Sequence, residues 1–178
     1  MLFNVNWLTF LQGWGTAAAG SVDEGIAEMR RSVSHPVISR VTTTALLLAV
    51  LVETCVERGR IEEGFDLVAQ GLAAAEQTGI TVAEAELLRL KGELLIIKDP
   101  DNEAYAERCL RGAIDVASRQ GARLFELRAT VSLASLLRDT GRREEARAML
   151  AEIYNWFTEG FDTADLKDAK TLLDELGK

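Results

Sequence analysis

Proline, histidine and cysteine are nearly missing from this chain, and aromatic residues are scarce. Its 178 residues include two prolines, one histidine and two cysteines, with an aromatic share of 6%. Metal sites and imidazole acid–base chemistry need companions. His35, alone before Pro36 in a predicted linker, has none and reads as a surface-turn residue. Cys55 and Cys109 fall on apolar faces of predicted helices without metal-ligand spacing. They read as small core hydrophobes in a reducing compartment rather than as a disulfide framework. The longest wholly apolar run, Ala45 to Val52, is eight residues, against the ~20 a spanning helix needs. The opening Met1–Asn6 has no basic n-region and no cleavage site. No G-x-x-x-x-G-K-[ST] occurs, which excludes a P-loop. The net charge is −8 and the cations are dispersed among acids, unlike the clustered cations of a nucleic-acid or anionic-membrane binder. The expectation is a cytoplasmic protein with no cofactor and no nucleic-acid or membrane partner.

What is abundant is helix-forming residue types, and they are punctuated by one phrase. It reads Gly20-Ser21-Val22-Asp23-Glu24-Gly25, Gly59-Arg60-Ile61-Glu62-Glu63-Gly64 and Gly141-Arg142-Arg143-Glu144-Glu145-Ala146. The first two copies start 39 residues apart and the last two 82, twice 41, which places a degenerate copy at Asp99-Pro100-Asp101-Asn102-Glu103-Ala104. A fixed period near 40 is the signature of a stacked repeat protein.

Each copy fits the turn of a helical hairpin. The glycine closes one helix in a left-handed conformation, and the acids enter the first turn of the next, where the helix dipole favours them. Ser21–Glu24 and Thr81–Glu84 have the capping-box pattern, and Asp99-Pro100 supplies a cap and an N1 proline. The predicted repeats span 5–33, 40–77, 82–119 and 122–157. A final amphipathic helix over 163–176, capped by Asp162, carries Leu166, Ala169, Leu173 and Leu176 on its apolar face. It covers the last repeat.

Two competing readings of these segments fail on context. Gly13-Trp14-Gly15-Thr16-Ala17-Ala18-Ala19-Gly20 is superficially a nucleotide loop, but Trp7, Phe10, Leu11 and Trp14 follow helical spacing and no strand precedes them. The pairs Glu62-Glu63 and Glu144-Glu145 resemble catalytic carboxylates only in type, because adjacent helical residues point about 100° apart. Nothing assembles a nucleophile, a base and an oxyanion donor, so a non-enzyme is expected.

The hairpins resemble tetratricopeptide repeats. Leu133-Ala134, Leu137, Gly141, Ala146, Leu150 and Ile153 in the fourth unit carry the likeness, as do Gly92, Leu95, Ala106, Leu110 and Ala113 in the third, with two residues inserted at the turn. Val52, Gly59, Gly64 and Val68 follow in the second, and Gly13, Gly20, Gly25 and Met29 are the poorest match. The units are longer than the usual 34 residues. The resemblance implies an all-α, right-handed superhelical stack of about four helix-turn-helix repeats plus the C-terminal capping helix. Ala83–Leu95, the helix ending Arg119-Gln120-Gly121-Ala122, and above all Tyr154–Leu166 look like the C-terminal repeat region of large bacterial signalling proteins that join a nucleotide-cyclase or regulatory domain to an AAA-type ATPase. That resemblance implies a scaffold or sensor segment, since the catalytic domains of such proteins lie upstream.

A tetratricopeptide stack lines its concave face with the first helix of each pair. Transferred position by position, the groove would comprise Trp7, Phe10, Trp14 and Ala17, then Leu46, Ala49, Glu53 and Val56. It would continue through Glu86, Arg89, Glu93 and Ile96 to Arg128, Val131, Ser135 and Arg138. Arg89, Arg128 and Arg138 are candidate forks for an acidic or C-terminal group of a protein or peptide partner, unless neighbouring glutamates such as Glu86 and Glu93 engage them. The lysines and asparagines of a chaperone-tail clamp are absent. Met1-Leu2-Phe3, Val5, Trp7, Leu8, Phe10 and Leu11 make the first repeat apolar outward, which points to an interface, a homo-oligomer through the N-terminal repeat included. The alternative is a small apolar-ligand sensor using that aromatic end.

Overall fold

A computed structural model describes residues 2–34 and 44–178, with side chains from Trp7 onward. The described residues are all-helical and contain no strand. The helices are α1 (Leu2–Ala18), α2 (Val22–Val33), α3 (Thr44–Glu57), α4 (Ile61–Thr78), α5 (Glu84–Lys98), α6 (Glu103–Gln120), α7 (Arg123–Asp139), α8 (Arg143–Tyr154) and α9 (Ala164–Leu176), with a short 3₁₀ turn at Pro100–Asn102. His35, Pro36 and the predicted helix start at residue 40 lie outside the described residues. The chain divides into two compact units, Met1–Leu90 and Lys91–Lys178, and the boundary falls inside α5.

The glycine phrase forms the same turn at each full copy. The glycine amide donates to the carbonyl three residues back, and the next amide to the carbonyl five back. These bonds are Gly59 to Val56 and Arg60 to Cys55 (3.1 and 2.8 Å), and Gly141 to Arg138 and Arg142 to Leu137 (3.1 and 2.7 Å). Gly20 and Ser21 repeat the pattern. This double closure needs a left-handed residue, and Gly59 and Gly141 supply it at φ 70° and 81°. It also explains why the capping box at Ser21 is not made. Ser21 ends one helix and starts the next, with ψ at 66°, and its side chain forms no cap hydrogen bond. Arg60 and Arg142 have nearly the same backbone, ψ 63° and 50°. The connection at Gly121-Ala122, read from sequence as a break between pairs, is closed in the same way.

Three boundaries differ from expectation. Asp99 caps the 3₁₀ turn through Oδ1, which accepts the Asp101 amide at 3.0 Å, and this turn absorbs the two inserted residues. The fourth hairpin stops at Tyr154, leaving Trp156 and Phe157 in a loop. Thr163, in extended conformation, rather than Asp162, precedes α9.

In the first unit, α1 packs on α2, α3 on α4, and α3 also meets α2 and α1. In the second, α7 packs against α6 and α8, and α9 rests on both α7 and α8. Leu166, Ala169, Leu172 and Leu176 of α9 are buried, while Leu173 is only half-buried. Leucine and alanine dominate both cores, with Leu51, Leu67 and Leu87 in one and Leu94, Leu110, Leu127 and Leu133 in the other.

Candidate functional site

In the first unit, the residues expected along a groove divide between core and surface. Phe10 and Ala17 are buried, each 1% exposed, because the Phe10–Gly13–Ala17 stripe of α1 faces the core. Trp7 is half-buried, and Trp14 joins Leu8 and Leu11 in an exposed apolar stripe. Ala49 is also buried, and Leu46 and Val56 are half-buried. Glu53, Glu86 and Arg89 do come together. Arg89 grips Glu86 with both arms, Nε donating to Oε2 at 3.0 Å and Nη2 to Oε1 at 2.6 Å. Its Nη2 also reaches Glu53 Oε1 at 3.4 Å. Arg89 and Glu86 are 7% and 5% exposed, so the pair is a buried ionic element whose separation would strand a charge.

In the second unit, Glu93, Ile96, Val131 and Ser135 line one cleft of about 490 Å³. Its floor is Leu110 of α6, which nests where α5 has no side chain. A Cβ on Gly92 would lie 2.7 Å from Leu110 Cγ. One wall is Glu93, Ile96 and Ile97 of α5, and the other is Val131, Ser132, Ser135, Leu136 and Asp139 of α7. Pro100 and Glu103 close one end. The small serines of α7 keep the gap open, and Ser132 Oγ donates to Glu93 Oε1 at 2.6 Å across it. The lining carries three carboxylates and no cationic side chain.

Arg128 and Arg138 do not point a fork at this cleft. Arg128 clasps Asp165 of α9, Nε to Oδ1 at 2.7 Å and Nη2 to Oδ2 at 3.3 Å. Arg138 binds Asp139 through Nε and Glu175 through Nη1, each at 2.8 Å. With Arg89, all three candidate forks already hold internal carboxylates. Sequence spacing did not reveal that α9 brings two acids, Asp165 and Glu175, to meet two of them.

The turn acids have more specific roles than the helix dipole alone. Glu63 accepts from Arg30 of α2 and Arg60 of its own turn, at 2.7 and 2.6 Å, and Arg60 also pairs with Asp23. Glu145 accepts from Arg111 of α6 and Arg142 of its own turn, each at 2.7 Å. Both arginines also reach Glu107, closing a four-membered ring of alternating charge. Burial pushes the Glu107 carboxyl up, but hydrogen bonds from Arg111 and Arg142 outweigh it and hold it below its usual range. The same two arginines lower Glu145. Burial, and then the Glu63 carboxylate, pushes the Cys55 thiol up to about 11; burial also raises Cys109. These are inert core thiols.

A second hollow of about 370 Å³, not anticipated from sequence, lies among Ile114, Thr130, Met149 and Ile153. Arg123 spans its rim, paired with Glu126 at 2.7 Å and lying over the Trp156 ring at 5.4 Å. The stretch after α8 is thus an aromatic loop, in which Trp156 meets Phe157 edge-on and Phe161 meets Tyr154.

Among the described residues no group of three or more His, Cys, Asp or Glu side chains is arranged to hold a metal ion, and no helix is long and apolar enough to cross a membrane. No protein-family model matches the chain. No curated protein matches it either.

Proposed function

We propose that this chain is a non-catalytic protein-interaction scaffold. In this reading it is a right-handed stack of about four tetratricopeptide-like repeats with a capping helix, of the kind used in bacterial cytoplasmic signalling, and it receives a partner segment on the first helices of its pairs. The packing of α1 on both α2 and α3, and of α9 on both α8 and α7, supports the architecture. The observation that carries the function is the cleft. Four residues chosen only by repeat position, Glu93, Ile96, Val131 and Ser135, meet around one concave, mostly apolar space of about 490 Å³, a size suited to binding. A photoreactive phenylalanine analogue at Val131, expressed in the native host, tests this. A discrete protein adduct that is absent with the analogue at exposed Asp66 supports the reading, and adducts from Asp66 alone overturn it.

Self-association is a second reading with its own support, the stripe of Leu8, Leu11 and Trp14 at 66%, 49% and 51% exposure. Such a patch marks an interface. Light scattering over a dilution series tests it, with Leu8→Glu expected to abolish any dimer. The small apolar-ligand alternative at this end draws no support from Phe10, which lies in the core.

A further inference from the structure

We infer that two copies of the chain pair antiparallel through α1, with Leu8 and Leu11 of each copy seated over Ala18 and Gly15 of the other. This rests on the self-association reading and gives it an orientation and a register. Leu8, Leu11, Gly15 and Ala18 are all exposed. They recur at spacings of three, four and three, the a/d stripe of a pairing helix. In an antiparallel pair each a position faces a d position, so the stripe sets its two leucines against its two small residues. Large meets small in both layers, and the arrangement maps onto itself under a two-fold axis, as an interface between identical copies requires. Nothing lies within 4 Å of where a Cβ on Gly15 would stand, so the seat for Leu11 is open in the single chain. The first unit shows how such leucines are covered. Leu87 and Leu90, which the sequence pattern aligns with Leu8 and Leu11, are fully buried. Leu87 lies against α4 where that helix has no side chain, and a Cβ on Gly71 would be 2.8 Å from its Cδ1. Charge points the same way. The chain is 27% charged with a net charge of −8, yet Leu2–Ala18 carries no charged residue, so two copies can meet there without opposing like charges. Leu8, Leu11 and Trp14 together expose roughly 300 Å² of apolar surface. Doubled in a pair, this falls short of the ~1,200 Å² of a stable interface, and the dimer is therefore weak and concentration-dependent.

Sedimentation equilibrium of the full chain from about 10 μM to about 1 mM, the range for an interface of this size, measures the dimer constant. Gly15→Leu fills the seat and should weaken the dimer roughly tenfold or more. Its urea midpoint should stay at or above that of the native chain, because the new side chain points into open space and glycine is a poor helix former. The double variant Leu11→Ala/Gly15→Leu exchanges large for small and should return the dimer constant to within about threefold of native, since facing positions compensate. A parallel pair would set each new leucine against its own copy and allow no such rescue. A dimer that Leu8→Glu abolishes but the double variant does not restore overturns the register and leaves self-association through α1 standing. A monomer at every concentration, or a dimer indifferent to Leu8→Glu, overturns both.

Discussion

Gly13 and Gly25 stand where the sequence pattern aligns them with Gly92 and Ala106, yet the two helix pairs are packed on different surfaces. A Cβ on Gly25 would lie 2.4 Å from the Gly13 carbonyl oxygen and 2.5 Å from the Ala17 amide nitrogen. One on Gly13 would meet the Gly25 carbonyl at 2.8 Å and the Met29 nitrogen at 2.9 Å. In the first hairpin, then, backbone lies directly on backbone. In the third, Ala106 keeps its methyl group fully buried, and a Cβ on Gly92 is opposed chiefly by the Leu110 side chain. A side chain can yield by changing rotamer and a backbone cannot. Positions aligned by the sequence pattern therefore tolerate very different changes in the two halves.

The largest expected effect breaks this contrast directly. Gly25→Ala should cost about 3 kcal/mol in urea unfolding, a typical overpacking penalty, even after the gain in helix propensity. Gly92→Ala should cost about 1 kcal/mol or less, because Leu110 can shift and alanine returns most of ~1 kcal/mol in propensity. Equal losses at the two positions would show that the close approach of α1 and α2 is not a real difference. An intermediate effect is expected at the turns. Gly59→Ala and Gly141→Ala face no steric neighbour within 4 Å, so each should cost only the left-handed backbone penalty, about 1 kcal/mol. Similar values at both would confirm that the two units share one turn.

Much of this is legible in the sequence alone, for a physical reason. A residue such as Gly59 or Gly141 is dictated by its own backbone angles, so a local phrase is enough to recognise it. The spacing of the phrase then carries positions along the chain, and it groups Glu93, Ile96, Val131 and Ser135 although they come from two helices. What the phrase cannot encode is the partner of a long side chain. Arg128 meets Asp165 and Arg138 meets Glu175 through a rotation of α9 that no spacing specifies. The capping box at Ser21 failed for a related reason. A four-residue pattern assumes an extended N-cap, and the preceding turn had already set that backbone otherwise.

The arginine–glutamate clusters sharpen the comparison at lower energy. Arg30 and Arg111 stand 81 residues apart, Arg60 and Arg142 82, and Glu63 and Glu145 82, so the two units carry the same trio. The side chain of Glu63 is 14% exposed and that of Glu145 is 42%. The ring in the second unit is closed but its Glu145 is wet, whereas the central Glu63 of the open chain in the first is drier. Glu63→Gln should therefore destabilise more, by roughly 1 kcal/mol, and Glu145→Gln less, as expected for an exposed pair. The reverse order would mean that ring closure matters more than burial.

Cys55 in the first unit and the Glu107–Glu145 ring in the second predict opposite responses at the two ends of the pH scale. Around Cys55 the unfolded chain releases the thiol proton near 9.0 and the folded one at about 11. Between these values the unfolded state binds fewer protons, so stability declines as pH rises. Unfolding free energy measured from pH 8 to 11 should fall more steeply in the native chain than in Cys55→Ala. In the second unit the sign is opposite. Glu107 and Glu145 are held below 4.5 when folded, so their contribution is present above the ordinary carboxylate range and is lost as pH falls through the lowered values. Acid unfolding of Glu107→Gln/Glu145→Gln should start from a lower stability at pH 7 and decline less between about pH 5 and pH 3, with the difference shrinking in 1 M salt as the ring is screened. Because the ring is largely exposed, this is the smallest of the effects. An acid limb unchanged by the double substitution would leave the ring as a geometric coincidence and the half-buried Glu63 as the turn acid that matters more to stability.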